Sequence, residues 1–142
     1  MPPPTAPRGS LHHVELRVAD LSAITPSWRW LLTELGYSEF QTWSDGISWK
    51  MADTYIVLEQ SHHPVSHDRR QAGLSHLAFH AQDRPDVDRL WEDAPSHGWL
   101  RLYDDRHPWA GGEPNGDSMG HYAAFLENNE RFKIEIVAGA PG

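Results

Sequence analysis

Alternation and helical recurrence divide the chain into two similar runs. In residues 11–18, LHHVELRV, Val14, Leu16 and Val18 fall on one face and His13, Glu15 and Arg17 on the other, the period of a half-buried strand. Ile24, Trp28, Leu31, Leu32 and Leu35 then recur at helical spacing, with Thr25-Pro26 suited to the helix start and Gly36 to its stop. Residues 37–43, 47–51 and 54–60 read as three short strands, the first two joined at the hairpin dipeptide Asp45-Gly46. Periodicity vanishes over residues 61–73, SHHPVSHDRRQAG, which reads as a surface linker.

The pattern then starts again. Residues 74–81, LSHLAFHA, set Leu77 and Phe79 against His76, Ala78 and His80. Val87, Leu90, Trp91 and Ala94 mark a helix bracketed by Pro85 and by Pro95 and Gly98, and residues 99–103, 121–127 and 132–137 supply three more strands. A Gly-, Pro- and Asp-rich insertion, residues 104–120, interrupts this second run. Leu11 and Leu74, His13 and His76, and Asp20 and Asp83 share one spacing, whereas Glu59 and Glu135 lie further apart because of the extra loop. Two βαβββ modules are expected, residues 11–60 and 74–138, each too small to bury a core alone and together forming one α+β domain. Residues 1–10, rich in proline, read as a disordered leader.

Composition narrows the chemistry. With 142 residues, one domain or two small modules is the length prior, and seven Trp within 39% hydrophobic residues supply a packed core. Twelve Lys and Arg against twenty Asp and Glu give a net charge of -8, the wrong sign for tracking phosphates or an anionic bilayer, so neither nucleic acid nor membrane is an expected partner. The N-terminal stretch lacks a secretory apolar core, and a cytoplasmic location is expected. The absence of cysteine removes disulfides, thiolate metal sites and thiol nucleophiles, so a metal would be held by nitrogen and oxygen. Phosphate-loop, dinucleotide and G-x-S-x-G signatures are absent.

Each module carries a histidine on its first strand and a glutamate on its last, both on the polar face. If the polar faces curl toward one another, His13, Glu59, His76 and Glu135 converge as two imidazoles and two carboxylates, a set suited to Ni, Zn, Mn, Fe or Co. The motifs LHHVELRVADL, YIVLEQ, GLSHLAFHA and FKIEIVA, with their repeat, make the chain similar over residues 11–138 to the vicinal oxygen chelate superfamily, which includes glyoxalase I, fosfomycin resistance enzymes, extradiol dioxygenases and bleomycin resistance proteins. The resemblance implies two tandem βαβββ modules forming a curved mixed-sheet cavity, a divalent ion on those four residues, and a homodimer. The turn 127–131, Glu-Asn-Asn-Glu-Arg, departs from the family's usual Asp-Pro-Asp-Gly type, and residues 104–120 match no substrate-binding segment of the family.

The implied activity is that of a glyoxalase I-like lyase or isomerase. The ion would chelate vicinal oxygens of a small substrate and stabilise an enediolate, with Glu135 or Glu59 moving the proton. Arg17, Trp49, Tyr103, His107, Trp109 and His121 are candidate substrate contacts, and the long loop is a candidate lid. Two other readings stand beside it. One is a drug-binding protein of the bleomycin resistance kind, supported by Trp43, Trp49, Tyr103 and Trp109 outside the helices. The other is an extradiol-type dioxygenase with a two-His-one-carboxylate iron site and His121 or Tyr122 as acid/base groups.

Overall fold

The computed structural model describes residues 6–139. The part of the expected leader at residues 1–5 lies outside them, and residues 6–10 are exposed around a turn in which the Ser10 amide donates to the Pro7 carbonyl at 3.0 Å. Contacts divide the chain after Val65 into two compact units, each a βαβββ module.

The first unit comprises β1 (His13–Val18), α1 (Leu21–Glu34), β2 (Ser38–Trp43), β3 (Gly46–Met51) and β4 (Thr54–Gln60), with sheet order β1-β4-β3-β2. The pair β1–β4 is parallel and the others antiparallel. Helix α1 begins earlier than Thr25-Pro26. Asp20 caps it by accepting from the Ala23 amide at 3.2 Å, and the Gln60 side chain at the end of β4 accepts from the Leu21 amide at 2.9 Å. Pro26 therefore lies inside the helix, where the Thr25 hydroxyl donates to the Leu21 carbonyl at 2.6 Å. The core holds Trp28, Leu31, Leu32, Trp49 and Leu58, all fully buried, each contributing roughly 1.5–3 kcal/mol by leaving water.

The second unit comprises β5 (Leu77–His80), α2 (Arg84–Asp93), β6 (Trp99–Leu102), β7 (Tyr122–Asn128) and β8 (Lys133–Ala138), with order β5-β8-β7-β6 and again one parallel pair, β5–β8. Asp83 caps α2 through the Asp86 amide at 2.9 Å, and a short 3-10 turn, Ala94–His97, ends at Gly98, whose φ of 87° places it in the left-handed region glycine favours. Helix α2 packs on β7 and β8. Leu90, Trp99, Leu126, Ile134 and Ile136 form the core beneath it. The opposite face of β8 carries Lys133, Glu135 and Val137. Strand β5 is shorter than residues 74–81, so His76 stands just before it.

These are the two four-stranded mixed sheets of tandem βαβββ modules. Among the described residues no helix is long and apolar enough to cross a membrane.

Candidate functional site

In the second unit the parallel ladder sets Ala78 beside Glu135, which brings His76, two residues earlier on the same face, within reach of the carboxylate. His76 Nε2 lies 3.1 Å from Glu135 Oε1, and the Ser75 hydroxyl lies 3.2 Å from His76 Nδ1, fixing the ring's orientation. Glu135 is buried, yet its second oxygen, Oε2, has no hydrogen-bond partner. His121 Nδ1 stands 3.7 Å from that oxygen, on a side chain 63% exposed. The insertion passes directly over it: a side-chain carbon placed on Gly111 would stand 3.3 Å from Glu135 Oε2, His121 Cβ and Phe125 Cζ alike.

Phe125, cross-strand from Glu135, floors the same face, with its ring 6.1 Å from that of His76 and 5.4 Å from that of Tyr103. Tyr103 follows β6 in the left-handed region, at φ 63°, unusual for an aromatic residue. Its carbonyl accepts the Arg106 and His107 amides at 2.9 and 3.0 Å, and that turn starts the insertion. Lys133 Nζ donates to the Tyr103 hydroxyl at 3.0 Å.

The other expected contacts in this unit lie elsewhere. His107 stacks on Trp91 of α2, with ring centroids 3.8 Å apart, and burial pushes its imidazole below the ordinary value. Trp109 packs edge-on against Tyr122, and the Arg84 guanidinium lies over both rings. The Tyr122 hydroxyl donates to Asp88 at 2.6 Å. Desolvation, with the Asp88 carboxylate beside it, pushes its pKa up to about 12, which withdraws Tyr122 from acid/base work near neutrality.

In the first unit, His13 is directly opposite Tyr55, and their rings are stacked with centroids 4.8 Å apart. Glu59 is four residues further along β4, opposite Arg17, so His13 and Glu59 stand roughly 13 Å apart along the strands. Glu59 Oε1 lies 3.7 Å from Arg17 instead, and a hydrogen bond shared with Glu15 lifts its carboxyl above the ordinary value, with desolvation adding to the rise and Arg17 opposing it. Reading β1–β4 against β5–β8 with the histidines matched places Val57, not Glu59, at the position of Glu135. Trp49 is fully buried on the core side. The other expected aromatic contact in this unit, Trp43, is exposed at the end of β2.

The structure therefore joins His76 with Glu135, places His121 and Tyr103 on their face, and leaves His13 and Glu59 apart. Among the described residues no group of three or more His, Asp or Glu side chains stands ready-made round a metal. Sequence reasoning passed over Gly111, Phe125 and Lys133 as site residues. For Lys133 a signal was present, because strand alternation already put it on the Glu135 face; Phe125 is brought there by the β7–β8 ladder.

No family model matches the chain. It is 47% identical over 131 residues to YqjT, an uncharacterized protein of Bacillus subtilis, covering 90% of this chain and 98% of the relative. A crystal structure of a candidate glyoxalase from Bacillus halodurans superposes with a TM-score of 0.82 at 46% identity, over 93% of this chain and 97% of the other. The chain belongs to the vicinal oxygen chelate superfamily. A more distant member of that superfamily, the fosfomycin resistance protein FosX of Listeria monocytogenes, was crystallised with Mn(II) and sulfate. It shares the fold with a TM-score of 0.65 at 20% identity, over 93% of this chain and 91% of its own.

Proposed function

We propose that this vicinal oxygen chelate protein is a divalent-metal-dependent enzyme of glyoxalase I-like type, acting on a small substrate through two adjacent oxygens. The observation that carries the reading is Glu135 Oε2, a buried carboxylate oxygen with no hydrogen-bond partner beside the imidazole of His76. Leaving such a group uncompensated costs several kcal/mol, and a cation is the partner it lacks. The donors fit: imidazole nitrogen and carboxylate oxygen suit Ni, Zn, Mn, Fe or Co. His76 and Glu135 would hold the ion, and His13 is carried into the set on the strength of its matching place in the first repeat. When bound, the ion supplies Lewis-acid polarisation of the substrate oxygens.

The chain's own groups do the rest. Ser75 orients His76, and Gly111 with Phe125 shields the carboxylate from water. Glu135, once loosened from the ion, would take and return the proton moved between neighbouring carbons, and the exposed His121 would exchange it with solvent. The Mn(II) in FosX supports metal use within this fold. The homodimer implied by the family belongs to the same proposal and is checked by sedimentation.

A second reading is favoured by one observation. With Val57 at the matching place in the first repeat, the set reduces to two histidines and one carboxylate, the ligation of non-haem Fe(II) oxygenases.

The test is metal content by elemental analysis on tag-free protein equilibrated with each ion, comparing wild type with His76→Ala and Glu135→Ala. About one ion per chain, lost in both variants, is expected. No ion in the wild type overturns the metalloenzyme reading. Turnover of aldehyde–thiol adducts against catechols then separates the two chemistries.

A further inference from the structure

Lys133 lies two residues from Glu135 on the same face of β8, about 7 Å along the strand. Its ammonium is half-buried and held by neutral groups: the Tyr103 hydroxyl at 3.0 Å and the rings of Tyr103 and Phe125, each 5.0 Å away. The acid directly across the ladder, Glu127, is already engaged by Arg69 at 2.9 Å and Arg131 at 3.1 Å. Arg106 lies over the Tyr103 ring at 4.8 Å, so that ring is flanked by two cations. The ammonium, held by π faces and a single phenol, has no paired carboxylate among the described residues and retains spare donors. Lysine is also sparse here, two residues against ten arginines, in a chain of net charge -8.

We propose that Lys133, backed by Tyr103, binds the anionic group of the substrate. Resting on the metal reading above, this restricts the substrate to small molecules that carry, beside the vicinal oxygens, a carboxylate, phosphate or phosphonate within reach of the Lys133 side chain. Phe125 spans the two ends as an apolar floor for the connecting carbons. The Tyr103 hydroxyl accepts from Lys133 and keeps its own proton to donate to the same anion.

The charge-binding step is tested without metal. Protein labelled with 13C-lysine gives two ε-methylene signals, assigned with Lys50→Arg and Lys133→Arg, and is titrated with inorganic phosphate. The Lys133 signal is expected to shift saturably with a midpoint at least about tenfold lower than any change at Lys50. Equal shifts at both, or none, overturn the proposal.

The reach is tested on ion-loaded protein by calorimetry, with acetohydroxamate against phosphonoacetohydroxamate, which adds an anion to the same chelating head. The anionic probe is expected to bind about tenfold tighter to wild type, to lose that advantage in Lys133→Met, and to keep most of it in Lys133→Arg. An advantage unchanged in Lys133→Met overturns the proposal. Failure to load any ion removes the metal reading alone, because the phosphate titration still decides Lys133.

Discussion

Glu135 spends one carboxylate oxygen on His76 and leaves the other buried and unpartnered, so its two oxygens make opposite contributions. Without a cation, the orphan oxygen carries a desolvation cost that an amide of the same shape largely avoids. Ion-free Glu135→Gln is therefore expected to be at least as thermally stable as ion-free wild type. Saturating Mn(II) reverses the order: binding at a hundredfold excess over the wild-type Kd adds about 2.7 kcal/mol to wild type and no more than about 1.4 kcal/mol to a variant that binds at least tenfold more weakly. Thermal unfolding with and without Mn(II) checks both halves. A Glu135→Gln protein less stable than wild type without the ion would make the carboxylate a structural partner of His76, not an unfilled ligand.

The insertion between β6 and β7 is fixed at several points, and each makes a separate prediction. At Gly111 the backbone needs no left-handed conformation, so space alone selects glycine: any side chain meets Glu135, Phe125 and His121 at distances tighter than ordinary packing. Gly111→Val is expected to destabilise by about 1–3 kcal/mol in urea unfolding and to lower ion uptake, with Gly111→Ala milder in both.

At His107 the anchor is the stack on Trp91, and burial depresses the folded-state pKa below the ordinary 6.5. The unfolded chain then binds the proton more readily. The stability this stack contributes is complete above pH 6.5 and is lost as pH falls from there through the folded-state value. Urea midpoints of wild type should fall between neutrality and pH 5 more steeply than those of His107→Phe, which keeps the ring and removes the proton. Parallel curves would locate the acid sensitivity elsewhere. Composition showed residues 104–120 as an insertion, but neither anchor was readable there, since both depend on which ring or carboxylate the folded chain brings against the loop. Elements with their own periodicity were more legible. Even so, the start of α1 was misplaced because Asp20 and Thr25-Pro26 are both plausible caps, and the decision went to the residue that Gln60 also secures from β4.

For the molecule as a whole, the repeat was the strongest signal in the sequence, and its βαβββ order is that of the two units. Distance along a face was not legible. Alternation distinguishes residue i from i+1 but leaves i and i+2 equivalent, so Val57 and Glu59 share a face of β4 and only the ladder register separates them. That register matches Val57 to Glu135 and gives Glu59 to Arg17 and Glu15. The two halves therefore share topology and differ in charge at the matched position, and the asymmetry can be measured. Glu59→Gln is expected to keep the wild-type ion content, because the residue it alters is committed to a half-exposed ion pair with Arg17. Glu135→Gln is expected to lower ion affinity by at least about tenfold, and His13→Ala to lower it as well, as removal of a ligand does. Competition against a chelating dye reads all three on folded protein. Equal losses from Glu59→Gln and Glu135→Gln would restore a four-ligand set with one carboxylate from each repeat.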